Sequence, residues 1–157
     1  MPKLNTIIDV VRTPVPVPDD PVKQAKMMLS ALESLPYFIK NILGYSVPAH
    51  YAIWEDDLNS GSRLCFLAHR TSSKSVFFSF CYPLWRMFRG DLTEILIISY
   101  ETGEAERRVG LIKEEIENNP WLNYLQSRGV WGQTRFKTAP VEGINSGIEV
   151  SAMGVGS

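Results

Sequence analysis

A lysine and a serine at the end of a short polar loop are the residues best suited to phosphate chemistry. Residues 63–80 read RLCFLAHRTSSKSVFFSF. The apolar run Leu64 to Leu67 precedes the loop Ala68 to Ser73, and Lys74-Ser75 opens a second apolar run, so the pattern predicts a strand, a tight loop and a helix. Loop N–H groups and a helix N-terminus both favour an anion. Lys74 could then reach the β- and γ-phosphates of a nucleotide, and Ser75 could hold Mg²⁺.

The loop differs from the usual phosphate-binding pattern, G-x-x-x-x-G-K-[ST], at both glycines. Ala68 and Ser73 stand in their places. Glycine before the lysine lets the backbone turn and approach the phosphates closely. If Ser73 must adopt a positive φ, its Cβ costs about 1–2 kcal/mol. From these residues alone, an ordinary strand, loop and helix with a surface lysine remains an alternative.

The elements after the loop alternate between helix and strand. A helix is predicted from Lys74 to about Phe88; because it is apolar nearly all round, we expect it to be buried, with Pro83 kinking or ending it. The run Glu94 to Tyr100 lacks alternation, as expected for a buried parallel strand. An amphipathic helix follows and ends at Asn118-Asn119-Pro120. Its apolar stripe is Ala105, Val109, Ile112 and Ile116, and its charged residues, Glu115 among them, are predicted to face solvent.

The elements before the loop are helical. Asp19-Asp20-Pro21 predicts a helix start with an acidic cap. Pro36 predicts a break or kink, and Gly44 closes the segment. A second helix is predicted from about Pro48 to Leu58. Residues 1–18 end in TPVPVP, whose prolines favour an extended arm, either loosely ordered or docked on a neighbour.

The last third of the chain has the alternating period of strands. Residues 134–138 and 148–152 alternate and are separated by a turn-rich stretch, which predicts an antiparallel hairpin with Arg135 and Lys137 on its polar face. The predicted fold class is therefore α/β, a parallel sheet flanked by helices, with an antiparallel hairpin. The glycine-rich MGVGS after the last strand leads us to expect that the domain continues beyond it.

Composition and charge limit the broad class of the protein. The chain has 157 residues and a net charge of −1, so there is no overall basic signature of nucleic-acid binding. Its two cysteines, Cys65 and Cys81, lie in apolar runs and are predicted to be buried, reduced thiols. No apolar stretch is long enough to span a membrane, and the N-terminus lacks the apolar core of a signal peptide. A cytoplasmic protein is expected.

The sequence gives little support for other kinds of catalytic or metal site. His50 and His69 are the only histidines, and no Ser-His-Asp set can be assigned by spacing. His69 lies in the polar loop, where it either touches phosphate or is a partly exposed loop residue. Glu55-Asp56-Asp57 is predicted to be an exposed helix end rather than a metal site.

Several motifs in order resemble the N-terminal part of the ATPase domain of the large terminase subunit of tailed bacteriophages. RLCFLAHRTSSKS resembles its phosphate loop, including an arginine within the loop. ILIISYETGEAERRVGLIKEEIENNPWL resembles the strand and amphipathic helix that follow, and TRFKT with GIEVSAMGVGS resembles the hairpin and its glycine-rich exit. PAHYAIWEDD resembles the segment near the adenine. The resemblance covers roughly residues 48–157.

The resemblance implies a role for each matching position. Lys74 would bind the β- and γ-phosphates, Ser75 would bind Mg²⁺, and Arg70 would sense or stabilise the γ-phosphate. Tyr51 or Trp54 could flank the base. The residues implied in ATP binding are Ala68, His69, Arg70, Thr71, Ser72, Ser73, Lys74 and Ser75, with Arg70 and Lys74 also catalytic.

The resemblance also implies a whole-protein function. ATP hydrolysis would drive double-stranded DNA into the procapsid at the portal in the host cytoplasm, with the portal protein and small terminase subunit as partners and a ring of identical subunits. Residues 1–18 would be the arm and 19–157 the N-terminal part of a P-loop NTPase-type domain. The family's second acidic motif and nuclease domain have no match here, so we expect no useful ATP turnover from this chain alone. Two alternatives stay open: another P-loop NTP-binding protein of helicase-like type, or a degenerate non-enzymatic relative.

Overall fold

A computed structural model describes residues 12–61, 63–67 and 73–156. The chain divides into two units, the first ending at Cys81 and the second beginning at Tyr82. Within the described ranges the regular structure of the first unit is helical, and the second unit contains the sheet. None of the helices in these ranges combines the length and the apolar character needed to cross a membrane.

Proline and small polar residues set the helix boundaries of the first unit. Helix α1 spans Pro21–Glu33, and the Asp20 carboxylate accepts the Val22 N–H at 3.0 Å, which confirms the predicted acidic cap. The break predicted near Pro36 falls at Ser34, whose side chain caps α2, Leu35–Phe38. A wider π-helical turn, Ile39–Leu43, continues α2 and ends at Gly44.

The proline-rich arm contacts the end of that turn. From Arg12 to Pro18 the chain has neither helix nor strand, as its prolines predict. The Thr13 N–H donates to the Gly44 carbonyl at 2.9 Å, and the Arg12 guanidinium lies 5.7 Å from the centre of the Tyr45 ring. At least this part of the arm is therefore docked rather than loose.

The predicted strand before the polar loop is wrong. Residues 64–67 are in no strand, and Leu67 is 95% exposed. A strand is stabilised by backbone hydrogen bonds to a neighbouring strand. Within the described ranges the paired strands all lie in the second unit. The same segment leaves Cys65 exposed, against the prediction that it is buried, whereas Cys81 is buried as predicted; neither cysteine is in a disulfide.

Helix α3 spans His50–Ser60, close to the helix predicted from Pro48 to Leu58. Helix α4, Lys74–Val76, leads into a π-helical turn, Phe77–Cys81. Helix α5 is Tyr82–Arg89, so Pro83 does not end the helical run. Proline has no N–H, so Pro83 cannot make the usual helical hydrogen bond to the carbonyl four residues earlier. The wider π-helical turn lies in the residues just before Pro83, where this hydrogen bond is missing.

The second unit is built on a three-stranded mixed sheet. Strands β1, Glu94–Ser99, and β3, Glu149–Gly154, are parallel, with Ile97 opposite Ala152. Strand β2, Arg135–Lys137, pairs antiparallel with β3, so the order is β1-β3-β2. The predicted hairpin is confirmed, and so is the mixed α/β class. The sheet is not purely parallel, and no described strand precedes the polar loop.

Helix α6, Thr102–Asn118, packs on β1 and β3. Its predicted apolar stripe is confirmed, because all four members are fully buried. Glu115 was predicted to face solvent but is only 4% exposed, and its buried carboxylate accepts the Asn119 side-chain N–H at 2.7 Å. Asn119 ends the helix as predicted, and a short 3₁₀ turn, Asn123–Leu125, follows.

Candidate functional site

Three of the predicted nucleotide-binding residues, Ser73, Lys74 and Ser75, lie within the described structure. Lys74 is the first residue of α4, so the predicted helix start is confirmed. The other predicted positions, Ala68, His69, Arg70, Thr71 and Ser72, lie outside the described residues. The roles of all eight stay predictions.

Ser73 has the backbone conformation normally reserved for glycine. Its φ is 58° and its ψ is 22°, and it is the one non-glycine residue with a positive φ in the described part of the chain. Glycine reaches this left-handed region without strain, whereas a Cβ there costs about 1–2 kcal/mol. The Ser73 hydroxyl makes no capping hydrogen bond that would offset this cost.

The change of conformation from Ser73 to Lys74 matters for anion binding. Consecutive residues of left- and right-handed conformation turn their N–H groups toward one concave point, an arrangement found in phosphate-binding loops. Ser73 is left-handed and Lys74 begins a right-handed helix. The backbone at this point therefore suits a phosphate group, and it has the shape that a glycine would allow.

Aromatic side chains from α3 and from the turn after α4 form one cluster. The Tyr51 ring lies 4.6 Å from the Phe77 ring, and the Trp54 ring lies 5.1 Å from both Phe77 and Phe78. Phe66 joins the cluster through Phe78, with 4.3 Å between ring centres. Rings at such separations pack favourably, in edge or offset geometry.

Tyr51 and Trp54, one turn apart on α3, lie on the side of the helix that faces this cluster. They were predicted to flank a nucleotide base. Tyr51 is 3% exposed, so its ring faces are covered by protein. Trp54 is half-buried and remains the more accessible of the two rings. The aromatic run after Lys74 was predicted to be core, and this is confirmed for Phe77, which is fully buried.

The Tyr51 hydroxyl reaches the candidate loop directly. It donates to the Ser73 carbonyl at 3.4 Å, a long and therefore weak hydrogen bond. Burial is the main cause that raises the pKa of Tyr51 to about 12, so the hydroxyl keeps its proton at neutral pH. The sequence motif located Ser73 and Lys74 but carried no sign of this contact, because Tyr51 lies 22 residues away.

The acidic run on α3 is only partly exposed. Asp56 and Asp57 are exposed as predicted. Glu55 differs: it is half-buried, and its carboxylate accepts the Leu35 N–H at 2.6 Å. Among the described residues, no three His, Cys, Asp or Glu side chains lie close enough to hold a metal ion.

No protein-family model matches this chain, and neither the curated proteins nor the solved structures give a match.

Proposed function

We propose that this chain is the nucleotide-binding part of a DNA-packaging ATPase of the bacteriophage large-terminase type. In the whole protein, ATP hydrolysis would drive double-stranded DNA into a procapsid in the host cytoplasm. The portal protein, the small terminase subunit and a ring of identical subunits would be its partners. The observation that carries the nucleotide-binding part of the proposal is the left-handed Ser73 directly before Lys74-Ser75. The DNA-packaging part rests on the sequence resemblance of residues 48–157.

This observation supports nucleotide binding because the conformation is costly for serine. A left-handed serine costs about 1–2 kcal/mol, and strained backbone is concentrated at functional sites. Here the strain falls at the position where phosphate-binding loops have glycine. Ser73 thus has, at this one position, the left-handed backbone that a glycine would adopt without strain.

The proposed role of each residue follows from its charge and from its position relative to a bound nucleotide. Lys74 would bind the β- and γ-phosphates, Ser75 would bind Mg²⁺, and the N–H groups around Ser73 would contact phosphate oxygens. Arg70, outside the described residues, would stabilise charge on the γ-phosphate. The sheet would correspond to the part of a P-loop fold that follows the loop.

A second candidate is a non-enzymatic relative that no longer binds nucleotide. Residues 64–67 favour it, since a phosphate loop is normally held between a paired strand and a helix. Here Leu64 and Leu67 are exposed, and neither residue is part of a strand. The two candidates differ in one measurable property, the binding of Mg·ATP.

Thermal unfolding with and without Mg·ATP tests the proposal, because a ligand that binds the native state must stabilise it. At one hundred times the dissociation constant, we expect the Tm to rise by about 5–10 °C. Lys74→Ala should remove the rise. Lys23→Ala, a matched change at an exposed lysine in α1, should leave it intact. No rise in the wild-type chain, or an equal rise in Lys74→Ala, would contradict the proposed site.

A further inference from the structure

The Tyr51 side chain is held firmly by the residues around it. The centre of its ring lies 4.6 Å from that of Phe77 and 5.5 Å from that of Trp54, on which it stacks. The His50 ring is 5.1 Å away, centre to centre, in an edge-to-face arrangement. Only 3% of the residue is exposed. Since packing on several sides fixes the ring, the position of the hydroxyl is also fixed, and it can act as a stationary donor.

The acceptor of this hydroxyl is the Ser73 carbonyl, which has a second donor. The Phe77 N–H donates to the same oxygen at 3.0 Å, which is the first hydrogen bond of the helical run. A carbonyl oxygen has two lone pairs, so the two donors together occupy it. Rotation about ψ of Ser73 would swing this oxygen away from both donors. The Tyr51 contact therefore acts on a dihedral angle that the left-handed conformation requires.

The contact persists over the physiological pH range. Burial raises the pKa of Tyr51 to about 12, and a protonated phenol is a hydrogen-bond donor. Glycine adopts the left-handed region as readily as the right-handed one, whereas serine adopts it only at a cost in free energy. An external restraint is thus most useful where serine has replaced glycine.

We propose that Tyr51 is a positioning residue that holds Ser73 in its left-handed conformation and so presents the backbone around Lys74 to phosphate. The effect on phosphate rests on the proposed nucleotide-binding function. The effect on the Ser73 backbone does not, and it can be measured without any ligand.

Nucleotide affinity gives the first test. Tyr51→Phe removes the hydroxyl and keeps the ring. Calorimetric titration of the folded chain with Mg²⁺ and a non-hydrolysable ATP analogue should show binding weakened about two- to fivefold. Tyr37→Phe, which removes a hydroxyl elsewhere in the same unit, should leave the affinity unchanged. In a Ser73→Gly background, where the left-handed region needs no restraint, Tyr51→Phe should have no effect.

Two results would overturn the positioning role in these titrations. One is an unchanged affinity in Tyr51→Phe. The other is an equal loss of affinity in the Ser73→Gly background, because Tyr51 would then act by another route. Circular dichroism of each variant before titration shows whether it is folded, and both tests are made on folded variants only. If Tyr51→Phe does not fold, the hydroxyl is needed for the fold itself and the positioning role is overturned.

The Ser73 backbone gives the second, ligand-free test. The ¹³Cα and ¹³Cβ chemical shifts of Ser73 report its φ and ψ. They should move toward extended values in Tyr51→Phe and stay in place in Tyr37→Phe. Unmoved shifts in Tyr51→Phe would overturn the inference whether or not nucleotide binds. Shifts that move in a chain that does not bind the analogue would support the positioning role and refute the proposed function.

Discussion

The Glu55 carboxylate accepts the backbone N–H of Leu35, the first residue of α2, at 2.6 Å. The first N–H groups of a helix have no partner within the helix and need an external acceptor. Ser34 satisfies the Tyr37 N–H at 3.3 Å, and Glu55 supplies a second cap from 20 residues further along the chain. One carboxylate thus ties α3 to the start of α2.

The burial of Glu55 predicts a pH dependence of stability that Glu55→Gln should remove. Burial, the largest cause, raises the pKa of Glu55 above its usual 4.5, although the Leu35 N–H acts in the opposite direction. Because the native state holds the proton more tightly than the unfolded state, this contribution to stability is lost as pH rises through the native pKa. Denaturant unfolding from pH 4 to 7 should show this loss in the wild type but not in Glu55→Gln. Parallel curves for the two proteins would contradict the prediction.

Replacing Ser73 with glycine should stabilise the first unit. The change removes a left-handed strain of about 1–2 kcal/mol but adds freedom to the unfolded chain, so the expected net gain is about 0.5–1 kcal/mol. Ser75→Gly is the matched control; in the right-handed α4 it should destabilise by about 0.5–1 kcal/mol. Urea unfolding measures both changes, and a loss of stability in Ser73→Gly would show that the serine side chain has a favourable role.

Gly44 and Gly110 should respond in opposite ways to alanine. Gly44 has a φ of 79°, and an added Cβ would collide with the Thr13 carbonyl. We expect Gly44→Ala to cost at least about 1–2 kcal/mol. Gly110 lies within α6, where a Cβ would meet nothing within 4 Å, so alanine there should add about 0.5–1 kcal/mol. If Gly44→Ala is neutral in urea unfolding, the docking of residue 13 is not as the structure has it.

The alternation of β2 predicts unequal effects of neighbouring substitutions. Phe136 is fully buried opposite Val150, and Phe136→Ala should cost about 3–5 kcal/mol through lost packing and a cavity. Arg135 points to solvent, with its side chain 61% exposed, and pairs with Glu149 at 2.7 Å. Exposed ion pairs contribute little, so Arg135→Ala should leave the unfolding midpoint nearly unchanged. Similar losses for both variants would indicate a different register.

Local signals in the sequence predicted most of the helices and strands. Asp20 and Pro21 marked the start of α1, Gly44 marked the end of the helical segment, and the stripe from Ala105 to Ile116 predicted α6. Such signals depend on neighbours within a few residues, through caps, proline geometry and hydrophobic period. For the same reason the motif located Lys74 at a helix start and anticipated the strain at Ser73.

Long-range contacts decided the rest. The apolar composition of residues 64–67 favours a strand, but a strand also needs a paired neighbour, and that depends on the whole fold. Strand pairing placed β3 between β1 and β2. Tertiary contacts bury Glu115 almost fully and Glu55 partly, although the charged sequence around each residue predicted that it would face solvent. The sequence by itself therefore determined most of the helix boundaries and placed Lys74 at the start of a helix. Only the tertiary structure brought the Tyr51 hydroxyl to the Ser73 carbonyl, because packing of α3 against the Phe77 turn joins residues that local sequence signals cannot relate.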